Sequence, residues 1–314
     1  MRKIFILLAG LLLTAHAEAA PRVMASIMPI HSIVSAVMGN LGQPELIFSG
    51  KLSEHSTSLS PTQIAELGKA DLVFMTGKSL EYKLGQLSGS ETVNGKTFIA
   101  LADAPGVTKL KLRQGGAWEK DEDKPQVAAA DDRQSADGLI TYNAHVWLDP
   151  ENAKAMANAA ALALGQADAA NAANYQANAR AFAAEIDKTE TEIAASLAEV
   201  KDRPFIVFHD AYPYFEHRFG LTAVGSISDA SANAPSARRI EEIRVRIREA
   251  HAVCVFREPQ FDSKFADTVI EGSDARAGVL DAIGADLVPG PGAYRQLLLN
   301  LAASAKSCLA GGNG

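Results

Sequence analysis

The sequence has only two cysteines, Cys254 and Cys308, in 314 residues. That is too few for a disulfide-knotted scaffold or a multi-cysteine metal cluster. It has no basic block, and its formal net charge is −7. Both features argue against a nucleic-acid partner. No short metal motif such as HExxH occurs. After the N-terminus no apolar run is long enough to cross a bilayer. Proline is absent from 151–203, where Gly165 is the only glycine. No internal repeat is visible in the sequence.

The N-terminus reads as an export signal. Arg2 and Lys3 precede a short apolar core, residues 4–13, and small residues near Ala17 and Ala19 offer cleavage at about 17–21. No cysteine stands there to be lipidated, so a free, exported product is expected. Outside the cytoplasm an even pair of cysteines suggests one disulfide. It would close a loop of 54 residues, worth roughly 4 kcal/mol by chain entropy, and would tie the last helix to a strand. Two buried free thiols are the alternative.

The proline-free stretch predicts a first helix over 151–164 and, after Gly165, a longer one over about 167–201. Tyr175, Ala179, Phe182, Ile186, Ile193 and Leu197 fall on one face of the longer helix. At about 1.5 Å per residue it would span on the order of 50 Å. It is either a rigid spine between two lobes or a long helix on one domain. Strand and helix alternate on both sides of it, which favours the spine and parallel α/β layers. The expected division is a signal at 1–20, an N-terminal lobe at 21–165, a spine at 166–202 and a C-terminal lobe at 203–314. Residues 118–137 are polar and acidic and read as a mobile loop.

Seven histidines are present, and His16 leaves with the signal. His55, His145 and His209 each sit in a loop or turn beside a predicted strand, where α/β sheets place their ligands. Asp281 occupies a similar place after a short apolar run. Three imidazoles and one carboxylate suit a tetrahedral divalent ion, above all Zn²⁺. Spacing alone equally allows three separate histidines with local hydrogen bonds. Glu54, beside His55, is an alternative oxygen ligand or a solvated carboxylate. His31, His217 and His251 read as structural or surface residues, and Glu258 as a buried partner for an arginine such as Arg276.

Several segments, in order, resemble one family. Ser53-Glu54-His55-Ser56 with Leu59-Ser60-Pro61-Thr62 resembles the first-ligand segment of the zinc-binding proteins that serve bacterial ABC importers, a family with manganese-binding relatives. His145-Val146-Trp147-Leu148-Asp149-Pro150 and Phe208-His209-Asp210-Ala211-Tyr212 are similar to its second and third. Cys254-Val255-Phe256-Arg257-Glu258-Pro259-Gln260-Phe261, with Cys308, matches including the paired cysteines. Gly278-Val279-Leu280-Asp281 lies where the family places its aspartate. The resemblance implies two α/β lobes with parallel sheets joined by a long rigid helix, with the metal in the cleft between them. It implies a periplasmic, non-catalytic monomer that captures Zn²⁺ and delivers it to a membrane permease with a separate ATPase. The implied ligands are His55, His145, His209 and Asp281, with Glu54 or water as the alternative fourth. Histidine at the third position selects zinc over manganese.

Two segments depart from the family. Many zinc members carry a histidine-rich loop, whereas 119–137 has no histidine and seven acidic residues in its place. Ser56-Thr57-Ser58 stands where an aromatic residue is common. Competing readings are a manganese-binding member, an exported zinc hydrolase with Glu54 as base, and a metal-dependent surface adhesin.

Overall fold

The computed structural model describes residues 20–55, 58–93, 95–118, 125–128 and 142–311. The expected signal and most of the acidic loop, 119–124 and 129–141, lie outside them. Two four-stranded parallel sheets carry the architecture. In the first, β1 (Val23–Ala25) lies between β2 (Glu45–Leu46) and β3 (Leu72–Met75), with β4 (Thr97–Ala100) outermost. In the second, β5 (Phe205–Val207) lies between β6 (Ala223–Ser226) and β7 (Cys254–Arg257), with β8 (Arg276–Val279) outermost. The two orders are the same, so a topology shared by both halves underlies a sequence without a visible repeat. In each lobe the chain leaves the first strand and turns to opposite sides, which opens a crevice at the strand ends.

Around the first sheet lie α1 (Met28–Met38), α2 (Pro61–Leu67) and α3 (Tyr82–Leu87). Then come α4 (Pro150–Ala167) and α5 (Ala172–Leu197), followed by α6 (Pro213–Phe219), α7 (Ala237–Glu249), α8 (Lys264–Ile270) and α9 (Ala293–Ala310). Local sequence sets these starts. Ser60 and Gln63 form a capping box on α2. Asp149 caps α4 by accepting from the Glu151 N–H at 3.0 Å, and Pro150 stands in its first turn. Ser236 caps α7. Among the described residues, no helix is long and apolar enough to cross a membrane.

The long helix α5 has 26 residues, so it spans about 39 Å rather than 50. It buries the expected stripe and adds Thr189. Gly165 does not end the preceding helix. A Cβ there would stand 3.0 Å from the Ala172 Cβ, so the glycine lies inside α4 and lets the start of α5 pass close by. The break comes at Asp168, whose carboxylate accepts from the Tyr175 hydroxyl at 2.9 Å.

One continuous apolar core runs from Val23 to Leu309 and includes residues of both lobes and of α5. The C-terminal helix α9 packs on α5, α1 and β8, which makes a second seam between the lobes. Ser32 Oγ donates to the Gly290 carbonyl at 2.7 Å, and the Tyr294 hydroxyl donates to the Trp147 carbonyl at 2.7 Å. A disulfide joins Cys254 on β7 to Cys308 on α9, with Cα atoms 6.1 Å apart.

The segment expected to be mobile is partly built into the structure. Trp118 is buried, and Val127 bridges antiparallel to Leu110. Its polarity hid one large aromatic anchor.

Candidate metal centre

Each candidate ligand comes from a loop, a strand end or a helix start. Glu54 and His55 lie on the loop between β2 and α2. His145 opens the single 3₁₀ turn Val146–Leu148 that leads into α4. His209 follows β5. Glu54, His145 and His209 are buried, and His55 is partly so.

Glu54, His55, His145 and His209 each point one ligand atom at a common centre, and these atoms all lie within 4.8 Å of one another. Glu54 Oε1 is 3.3 Å from His145 Nε2, 3.4 Å from His209 Nε2 and 3.9 Å from His55 Nε2. The Nε2 atoms of His145 and His209 are 3.1 Å apart. Bonds of 2.0–2.1 Å in a tetrahedron give ligand–ligand edges of about 3.3–3.4 Å. The donors of Glu54, His145 and His209 therefore already stand near three corners of a zinc-sized tetrahedron, with His55 farther out. Glu54 Oε1 and His55 Nε2 are buried and make no hydrogen bond, which would be costly without a partner at the centre.

The outer hydrogen bonds fix which ring nitrogen faces inward. His145 Nδ1 donates to Asn143 Oδ1 at 2.8 Å. His209 Nδ1 donates to Glu258 Oε1 at 2.7 Å. Both leave Nε2 toward the centre. Glu258 is thus paired with His209 and not with an arginine. Arg276 instead donates to the Cys308 carbonyl at 2.7 Å. Sequence reasoning missed both outer partners. Asn143 offered no signal, whereas Glu258 showed itself as a carboxylate in an apolar strand end.

The electrostatics separate the three rings. Burial, reinforced by the neighbouring His145 ring, lowers His55 to about 3. Burial also lowers His145, although Glu54 opposes it. Burial would lower His209 too, but Glu258 and Glu54 overcome that and raise it to about 10. Burial pushes the Glu54 carboxyl up, yet the facing His145 and His209 rings outweigh it and hold it well below the ordinary range. Without metal, His209 is therefore the charged ring, with a proton on each nitrogen, and His55 and His145 are neutral.

Asp281 lies outside this group of four. Its Oδ1 accepts from Gln260 Nε2 at 2.8 Å and from the backbone of Ile283 and Gly284, and its Oδ2 accepts from the Ala285 N–H at 2.7 Å. Here the carboxylate organises the loop after β8, and Glu54 is the carboxylate that stands among the three histidines. His31 is buried and bonds the Pro44 carbonyl at 3.0 Å, while His217 and His251 are exposed.

A family model described as the periplasmic zinc-uptake complex component A, ZnuA, matches residues 23–308. This chain belongs to that family. The high-affinity zinc uptake protein ZnuA of Brucella abortus (strain 2308) is 43% identical over 321 residues, covering 96% of each chain. The ZnuA protein of Paracoccus denitrificans is 34% identical, covering 95% of this chain and 94% of its own. A ZnuA deletion mutant solved with zinc bound shares the fold, with a TM-score of 0.74, 24% identity and coverage of 92% and 98%. Family members are periplasmic solute-binding components of transport systems, which agrees with two lobes framing a small buried centre.

Proposed function

We propose that the chain captures Zn²⁺ in the periplasm, after removal of its first 17–21 residues, and hands it to a membrane permease powered by a separate ATPase. The carrying observation is the set of four converging donors, all within 4.8 Å of one another, with Glu54 Oε1 3.3–3.9 Å from the three histidine nitrogens. His55, His145 and His209 bind as neutral imidazoles and Glu54 supplies the fourth bond. Asp281, with four donors on its two oxygens, keeps the loop beside the site in shape. It is the reserve oxygen ligand should Glu54 withdraw. A centre of three imidazoles suits zinc better than manganese, which prefers oxygen-rich sites. The protein acts as a monomer and as a binder. With Glu54 closing the tetrahedron no position remains for an activated water, so hydrolysis is not its work.

The test is competitive titration of the mature, chelator-stripped protein with Zn²⁺ and Mn²⁺, with bound metal counted by elemental analysis. One tight zinc per chain is expected, preferred over manganese and weakened by His209→Ala. Preference for manganese would assign the manganese-binding role instead. Paired substitutions decide the fourth ligand: Glu54→Gln should weaken zinc far more than Asp281→Asn, and the reverse order would exchange their roles.

A further inference from the structure

Between β4 and α4 the chain leaves the first lobe and crosses to the second. Lys111 still bridges to Tyr142. Six residues later Ala117 pairs antiparallel with Gly225, at the outer edge of the second sheet. The Trp118 N–H donates to the Val224 carbonyl at 2.9 Å, and the Ser226 N–H donates to the Gly116 carbonyl at 2.8 Å. The register of β6 shifts here: Phe205 pairs with Ala223 and Ile206 with Gly225. Val224 is skipped, and its carbonyl accepts from the strap and, at 3.2 Å, from Arg246 Nε. The approach is so close that a Cβ on Gly225 would lie 2.6 Å from the Gly116 oxygen. Only glycine allows that contact.

The strap is anchored by Trp118 and carries Arg113. The Trp118 ring is 1% exposed, and the Arg113 guanidinium lies 3.7 Å from its centroid, a cation–π contact. Arg246 donates to the Trp118 carbonyl from the other side. Arg113, itself 5% exposed, then meets two carboxylates. Its Nε donates to Asp210 Oδ1 and Oδ2 at 3.1 and 3.2 Å, and its Nη atoms donate to Glu216 at 2.9 and 2.8 Å. Nη2 also pairs with Asp210. A planar fork holding two carboxylates fixes orientation as well as charge.

Asp210 is the residue after His209. Its carbonyl accepts from Asn143 Nδ2 at 2.6 Å, and the Oδ1 of Asn143 is the acceptor for His145 Nδ1. The chain of contacts therefore runs from the strap through Arg113 to Asp210. From there it reaches His209 by one peptide bond and His145 through one amide.

We propose that Arg113 is a positioning residue for the metal centre, and that the strap of residues 113–118 is an interlobe latch that holds it in place. This rests on the zinc-binding reading above. The latch keeps the His145 and His209 nitrogens at the short separation that zinc requires. It does so from outside the site, by pinning the His209 turn of one lobe with a segment of the other. Thermodynamic reciprocity follows: if the latch supports zinc, bound zinc supports the latch.

The experiment uses the full oxidised chain and measures zinc affinity by chelator competition, with thermal unfolding alongside. Gly225→Ala detaches the strap without touching any ligand. Arg113→Lys keeps the charge and loses the fork. Each should weaken zinc by about tenfold or more, as outer-shell changes at metal centres do. The double variant should be no weaker than the worse single one, because both cut one link. Leu164→Ala, a cavity in α4 away from the strap, should lower the unfolding temperature and leave zinc affinity unchanged. In the wild type, zinc should slow hydrogen exchange at the Trp118 and Ser226 amides.

Variants that lose thermal stability like Leu164→Ala yet bind zinc as the wild type does would reduce the strap to a structural element. Unchanged exchange at both amides would overturn the latch even if a variant failed to fold. The wild-type affinity reports separately on the zinc reading: if the wild type held no zinc, both proposals would fall.

Discussion

At the residue scale, the centre behaves as a proton-for-metal exchanger. His55, held at about 3, and His145, lowered below its ordinary value, are neutral at pH 7, each with a single ring N–H. His209, raised to about 10, carries a second ring proton, on the Nε2 that faces the centre. Zinc must displace it, so binding at pH 7.5 should release about one proton per ion. Calorimetry in buffers of different ionisation enthalpy measures that number, and zero release would contradict the assignment of the charged ring. The same competition fixes the pH trend. Below a folded pKa of about 10, each unit of acidification should cost roughly a factor of ten in apparent zinc affinity, so a move from pH 7.5 to 5 should release much of the metal. Glu258→Gln keeps the shape but removes the negative charge behind His209. It should weaken zinc about 10- to 100-fold and lower the affinity for Co²⁺ in parallel. Three of the four converging donors stood out in the sequence as histidines beside strands. For the fourth, the sequence puts Asp281 first, with Glu54 or water as the alternative, because the two carboxylates look alike on paper. What separates them is the local supply of N–H groups: the loop after Asp281 turns back on its carboxylate, whereas Glu54 finds no donor but the histidines.

At the scale of elements, the long helix was legible because alanine and a regular apolar stripe leave little else possible between Pro150 and Pro204. Its break was misread because a glycine in a helix can mark a close neighbour as well as an end. The strap was not legible at all. Its contacts are long-range backbone pairings across lobes, and nothing in Gln114-Gly115-Gly116-Ala117 announces a partner 108 residues away at Gly225. The α5 stripe also supports a stability prediction. Phe182→Ala empties a site that contacts Tyr294 of α9, with ring centroids 5.8 Å apart. It should destabilise the fold by about 3–5 kcal/mol, read from the denaturant midpoint.

At the scale of the molecule, the main core cluster runs through both lobes, a smaller cluster lies in each lobe, and two helical seams join them. Large hinge closure would tear that core open, so capture of zinc should proceed by local adjustment around the His55 loop. Small-angle scattering of the metal-free and zinc-loaded forms should give radii of gyration that agree within error. A clear contraction on loading would show that the seams yield. Unfolding should be a single transition for both lobes. Reduction of the Cys254–Cys308 bridge should shift it by roughly 4 kcal/mol on the chain-entropy model.

The placement of α9 bears on the order in which the molecule can be made. Ser32, in the first helix, bonds Gly290, 258 residues later, and α9 then closes over α1 and α5. Neither lobe is complete until the last residues of the chain have been synthesised. Such long-range closure makes folding slow. A chain of this kind stays open until α9 has been synthesised. Its final helix works as the closing piece, and truncation there should unmake the N-terminal lobe along with its own.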